Sequence, residues 1–236
     1  MPRVIETVFL DAGGVLVHPN WVRVAAALAE HGVAADAAAL AAAEPRAKHE
    51  MDAGALMARS DDQQRGWIYF DGVLRHAGIA ASDATARALA DVRRYHDVHN
   101  VWEHVPADVV PTLAALRALD VRLVVVSNAN GRLHAMFDRV GLTGYFDAVL
   151  DSHQWGVEKP DPRLFHLALG ESGADAHTTM HVGDFYHIDV AGARAAGLAA
   201  AVLFDMAALY EGADCPRIHR FGDLVALVAA GNAGGA

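Results

Sequence analysis

Four short segments carry side chains whose types and spacing can do chemistry together. Asp11 closes the apolar run Val8-Phe9-Leu10 and is followed by the turn Gly13-Gly14. A carboxylate held at the carboxyl end of a buried strand, where the chain must turn sharply, sits where open α/β sheets bind ligands. The plainer reading is an Asp that caps the next turn. A second run, Arg122 to Val126, ends on Ser127-Asn128. The hydroxyl and the following backbone N–H are donors of the kind that hold a tetrahedral oxyanion.

Lys159, one of only two lysines, lies between Glu158 and the Pro-x-Pro segment Pro160-Asp161-Pro162. Prolines there restrict the backbone before a helix, so the ammonium can act as a fixed point charge against a phosphate or carboxylate. A solvated loop lysine is the alternative. In the fourth segment, Met180 to Asp189, a strand runs into an acidic loop with carboxylates at Asp184 and Asp189. Two carboxylates so spaced can bind Mg²⁺, one directly and one through water, because Mg²⁺ takes few protein carboxylates and keeps several waters. Asp189 can equally cap the helix expected to start beside it. Taken together the four segments supply the parts of one phosphoryl-transfer site.

The elements that must position these groups follow from hydrophobic periodicity. Strands are expected over Ile5 to Leu10, Arg122 to Ser127, Asp147 to Leu150, Thr179 to Gly183 and Ala200 to Phe204. Helices near Asp108 to Leu119, Arg132 to Val140, Arg163 to Ser172 and Asp189 to Ala196 would cover a parallel sheet on both faces. Between Leu16 and about Val98 only helical patterns occur, near Asn20 to His31, Ala35 to Asp52, Asp61 to His76 and Ser82 to His96. Asn20 and Ser82 are expected N-caps. The fold class is therefore α/β, a Rossmann-like parallel sheet with an inserted helical module. Residues 1–17 and 98–236 form the core and 18–97 the insertion, joined through Val17 to Pro19 and Val98 to Trp102. The Gly- and Ala-rich stretch Ala229 to Ala236 is expected to fray.

Composition narrows the classes of function. With 236 residues, 53% of them hydrophobic, the chain can bury a full core. A net charge of −10, from 19 basic and 29 acidic residues, argues against a nucleic-acid footprint and against a polybasic membrane patch. The single Cys215 excludes an intramolecular disulfide and fits a reducing cytoplasm. Met1-Pro2-Arg3 leads straight into the first strand without a signal-peptide pattern, and no apolar run reaches membrane-spanning length. The expectation is a cytoplasmic monomer or homodimer acting on a small-molecule phosphorylated substrate.

In order, strand-end placement and spacing, the four segments resemble the haloacid dehalogenase-like hydrolase superfamily over nearly the whole chain. Ser127 to His134, Lys159 to Phe165 and His181 to Gly197 are most similar to the helical-cap group that includes the haloacid dehalogenase-like hydrolase domain-containing protein 3. The resemblance implies an Asp11 nucleophile and an aspartyl-phosphate intermediate that water hydrolyses. It also implies Mg²⁺ held by Asp11, the carbonyl of Gly13 and Asp184, with Asp189 as outer partner, and Ser127, Asn128 and Lys159 on the phosphate. One position departs from the family pattern. Phosphatases of the family carry a second Asp, two residues after the nucleophile, that protonates the leaving group; here it is Gly13. His18 and His187 are candidate proton donors, beside solvent and the substrate itself.

The resemblance assigns substrate choice to the helical cap, where Arg46, Lys48, His49, Arg65, Trp67 and Tyr69 are candidates. Trp67, Ile68 and Phe70 read more simply as helix packing. A haloacid dehalogenase would not need Asp184 and Asp189. A phosphonate hydrolase would need a cap lysine for a Schiff base; Lys48 is the only one, and its neighbours Arg46 and His49 read as a solvated helix face. The non-enzyme alternative is a phosphate-binding interaction module that has lost turnover with its general acid.

Overall fold

The computed structural model describes residues 4–53 and 62–233. In chain order the first part comprises β1 (Thr7–Leu10), β2 (His18–Pro19), α1 (Trp21–Glu30), α2 (Ala37–Ala53), α3 (Asp62–His76), α4 (Asp83–His99) and β3 (Trp102–His104). Then come α5 (Val109–Ala118), β4 (Arg122–Ser127), α6 (Leu133–Val140), β5 (Ala148–Asp151), α7 (Ser152–Trp155) and α8 (Pro162–Ser172). The chain ends with β6 (Thr179–Gly183), α9 (Ala191–Ala195), β7 (Ala200–Phe204), β8 (Arg217–Ile218) and α10 (Asp223–Ala233). Two compact units result, one made of residues up to His18 and from His104 onward, the other of Pro19–Glu103. β2 and β3, the two passages between them, pair as a two-stranded sheet.

The larger unit is a six-stranded, all-parallel sheet in the order β5-β4-β1-β6-β7-β8. Consecutive residues of β1 and β4, such as Phe9 and Leu10 or Val125 and Val126, are all buried. A sheet covered by helices on both faces demands this. Phe9, Val124, Val126, Leu150, Phe165 and Val190 belong to one core cluster. Each such side chain contributes about 1.5–3 kcal/mol on leaving water. From central β1 the chain builds outward through β4 and β5, then returns to the other side for β6, β7 and β8. This reversal places the carboxyl ends of β1, β4 and β6 at a topological switch point, the usual ligand crevice of doubly wound sheets.

In the smaller unit, Asn20 caps α1 by accepting from Arg23 N, and Ser82 caps α4 through a capping box with Thr85. Trp21, Tyr69, Phe70 and Trp102 form an aromatic cluster, with Tyr69 and Phe70 centroids 5.2 Å apart. Tyr69 and Phe70 are therefore packing residues, as read for Phe70 but not for Tyr69. The side chains of Arg65 and Trp67 lie outside the described residues, as does Asp61.

Several boundaries differ from the sequence reading, each for a local reason. β1 begins at Thr7 because the backbone of Ile5 is held by the side chain of Asn232, which accepts from Ile5 N at 2.7 Å and donates to Ile5 O at 3.1 Å. That clasp also orders the expected frayed tail as far as Ala233, inside α10. α4 runs on to His99 and stops at Asn100, whose φ of +66° suits an Asn. The second passage accordingly falls at Trp102–His104 rather than Val98 to Trp102. The helix expected from Asp189 is instead a π-helical turn over Tyr186–Val190 followed by the short α9. The two-residue strands and the helices α7 and α10 had no sequence counterpart.

Candidate active site

Asp11 follows β1 directly, and its N–H donates to Val182 O across the switch point at 2.9 Å. Its Oδ1 accepts from Ala12 N at 2.8 Å and lies 3.0 Å from Lys159 Nζ. Lys159 comes from the loop between α7 and α8, where Asp161 accepts from Arg163 N and Pro162 opens α8. The lysine is no solvated loop residue: it is 1% exposed. Asn128 fixes it there, its side chain accepting from Lys159 N at 2.7 Å and donating to Lys159 O at 3.0 Å. The Asn128 amide thus tethers one loop to the other, and its main-chain N–H is what it can offer an oxyanion.

Lys159 Nζ also reaches Asp189 Oδ1 at 2.6 Å. The same oxygen lies 2.9 Å from His181 Nε2, while Asp189 Oδ2 accepts from Phe185 N at 3.0 Å. Asp189 therefore does not cap a following helix; its side chain turns back over its own loop. Gly183 makes room for it, since a Cβ there would lie 2.0 Å from Asp189 Cγ. Asp184, buried after β6, completes a group in which one ligand atom each from Asp11, Asp184 and Asp189 lies within 4.8 Å of the others. Such a cluster of hard carboxylate oxygens can hold a divalent metal ion.

The electrostatics follow from burial in ion-paired company. Burial alone would pull the Lys159 ammonium down, but Asp11 and Asp189 outweigh it and hold the group firmly protonated. Burial likewise works against charge on Asp189, yet Lys159 and His181 keep it ionised, well below the usual carboxylate range. For His181 burial wins over the adjacent Asp189, so its pKa falls and the ring stays neutral. Replacing Lys159 by Met should destabilise the protein by about 3–5 kcal/mol near neutral pH, because it strands two buried carboxylates without their cation. The loss should shrink on acidification: carboxylates whose folded pKa values have risen take up protons more readily folded than unfolded. Thermal melting from neutral pH into the acid range, in chelator, checks both statements, and a stability loss that grows toward acid pH contradicts the second.

The phosphate-side loop is held by residues the sequence reading missed. Ser127 ends β4 in register with Asp151 at the end of β5. Asp151, fully buried, accepts from Gly131 N and His153 N at 3.1 Å and from Leu133 N at 3.2 Å. Ser152 Oγ accepts from Ala129 N at 3.1 Å. The Ser127–Leu133 segment is thereby pinned at three backbone N–H groups. The only sequence signal was a polar pair closing a strand, which any turn can supply.

Asp11, Asp184, Asp189 and Lys159 are brought together, with Ser127 at the end of the adjoining β4 and Asn128 just after it. Gly13 sits in the turn after Asp11, and the left-handed residue is its neighbour Gly14, at φ +78°. His18 is buried in β2 at the boundary between the units. His187 is exposed, its ring 5.3 Å from that of Tyr186 and edge-on to it. The solvated face expected for Lys48 is corrected. Lys48 is buried, 3.2 Å from Glu44, which also accepts from Trp21 Nε1 at 3.1 Å.

Fold and site together define a doubly wound α/β protein with a lysine-bridged acidic centre at its switch point. A family model described as haloacid dehalogenase-like hydrolase matches residues 5–197. The haloacid dehalogenase-like hydrolase domain-containing protein 3 of Bos taurus is 30% identical over 187 residues, covering 78% of this chain and 74% of that protein. Glyceraldehyde 3-phosphate phosphatase of Methanopyrus kandleri is 33% identical over 131 residues, 55% of each chain. Among solved structures, the magnesium-bound HAD-hydrolase YfnB of Bacillus subtilis shares the fold, with TM-score 0.70 at 14% identity over 96% of this chain and 99% of that one. The chain belongs to the haloacid dehalogenase-like hydrolases. Among the described residues, no helix is long and apolar enough to cross a membrane.

Proposed function

We propose that this hydrolase is a Mg²⁺-dependent phosphatase that cleaves a small phosphorylated metabolite through an aspartyl-phosphate on Asp11. The observation that carries the reading is the buried Lys159 bridge between Asp11 and Asp189, with Asp184 in the same acidic group. Lys159 fixes the Asp11 carboxylate in one orientation and brings positive charge to a place where a phosphate would otherwise be repelled. Asp11 attacks phosphorus in line, while Ser127 and the main-chain N–H of Asn128 hold the equatorial oxygens; water then hydrolyses the acyl phosphate.

Bound Mg²⁺ would supply the further charge neutralisation that lets a carboxylate approach a phosphate dianion. Asp11, the Gly13 carbonyl and Asp184 are the residues to hold it. Asp189, already engaged by Lys159, His181 and Phe185 N, acts from the outer shell. The archaeal relative named for glyceraldehyde 3-phosphate supports a small phosphate ester as substrate. A cytoplasmic setting, where a lone half-buried thiol such as Cys215 stays reduced, belongs to the same proposal, as does a monomer or homodimer.

A phosphatase screen over sugar phosphates, nucleotides and aryl phosphates, with and without Mg²⁺, tests this reading. Asp184→Asn should raise the Mg²⁺ needed for half-maximal rate by at least ~10-fold, the lower end of what even outer-shell changes cost. An unchanged metal titration contradicts the ligand assignment. Phosphate binding with neither burst nor steady-state turnover would make the chain a phosphate-binding interaction module instead.

A further inference from the structure

His181 occupies the middle of β6, between Met180 and Val182, with Phe165 of α8 packed edge-on against its ring at 4.9 Å. An apolar side chain would suit this fully buried strand position better, since a buried polar group costs free energy unless its hydrogen bonds are met. Nε2 lies 2.9 Å from Asp189 Oδ1, but among the described residues Nδ1 has no hydrogen-bond partner. That asymmetry selects one form of the ring. An imidazolium would bury an unmated Nδ1–H, and the Nδ1–H tautomer would in addition turn the Nε2 lone pair onto a carboxylate. The neutral Nε2–H form leaves least unmet: it donates to Asp189 and strands only a lone pair at Nδ1, not a buried N–H.

The carboxylate torsion of an Asp is broad, so one lysine contact leaves Asp189 free to swivel. Three donors from three directions do not: His181 Nε2, Lys159 Nζ and Phe185 N engage both of its oxygens. We propose that His181 is a positioning residue, a neutral Nε2–H donor that locks Asp189 and through it holds Lys159 against Asp11. For its effect on rate this rests on the phosphatase reading above. His181 lies one residue further from the reacting atoms than Asp189, so its removal should lower turnover without loosening metal or substrate.

The test compares His181→Leu with His181→Gln, which retains an N–H donor on a side chain of similar reach. At saturating Mg²⁺, with an aryl phosphate, His181→Leu should lower kcat on the order of 10- to 100-fold, the range for lost outer-shell partners. KM and the Mg²⁺ half-saturation should move less than about twofold, and His181→Gln should recover most of the rate. Wild-type kcat in His181→Leu, equal losses in both variants, or a loss carried by the metal titration would each overturn the inference. Thermal melting identifies a variant that fails to fold, and one further measurement needs no variant. Long-range nitrogen–proton correlations of the wild-type imidazole should report the neutral Nε2–H form; the Nδ1–H tautomer or an imidazolium overturns the inference whatever the activity. A wild type without turnover but with the Nε2–H form in place overturns the phosphatase reading alone, leaving the anchoring of Lys159 intact.

Discussion

Asp11→Asn is expected to abolish Mg²⁺-dependent hydrolysis of an aryl phosphate, with a loss of at least ~10³-fold. The amide has no anionic oxygen to attack phosphorus, and it is a poorer metal ligand. The fold should survive the change. Lys159 keeps its 2.6 Å contact with Asp189, so no buried ammonium is left without an anion, and the amide oxygen can still accept from Ala12 N. A melting temperature near wild type together with lost turnover would place the defect in the chemistry. Retained turnover in the pure variant would remove Asp11 from the nucleophile's role, and with it the aspartyl-phosphate.

Much of this site was legible in the sequence because its parts close long apolar strands. β4, β6 and β7 carry the residue bounds that periodicity predicted, and Asp11, Ser127 and Asp184 stand at or just past strand ends, where a parallel sheet exposes them. What escaped notice depends on partners distant in sequence. Asp151 is an unremarkable strand-end acid until Gly131 and Leu133 are seen to donate to it. Nothing local reveals that the side-chain amide of Asn128 spans to the backbone of Lys159, 31 residues on.

The same limit explains the errors in the other direction. Lys48, flanked by Arg46 and His49, has the local signature of a solvated helix face, yet Glu44 one turn earlier draws it into the interior. Glu44 is itself held by Trp21 Nε1, a contact between two helices that no periodicity on α2 encodes. For Asp189 a helix cap stood as the alternative to a metal partner, because Asp before a helical pattern usually is a cap. Lysine, histidine and main-chain donors converge on its carboxylate instead, and a regular α-helical start gives way to a π turn. Turns of that kind are frequent at functional sites.

The second large effect concerns Gly13. Without an acid at this position the leaving oxygen departs with more negative charge, so the wild-type rate should depend steeply on its pKa, favouring aryl and acyl phosphates over alkyl phosphates. Gly13→Asp should flatten that dependence. A positioned general acid contributes ~10²–10⁴-fold, and does so most for poor leaving groups. Backbone strain does not oppose the substitution through φ: the left-handed conformation that disfavours a β-carbon belongs to Gly14, and Gly13 is not among the positive-φ residues. Gly13→Ala and Gly13→Asn separate added bulk from added acid, because neither can donate a proton as a carboxylic acid does. A gain for alkyl phosphates confined to Gly13→Asp would show that the turn after Asp11 still directs a side chain at the leaving oxygen. Similar chemistry-limited rates for alkyl and aryl esters in the wild type would instead mean that another group already donates the proton. Buried His18 and exposed His187 would then be separated by His18→Ala and His187→Ala, the donor being the one whose loss restores the steep dependence.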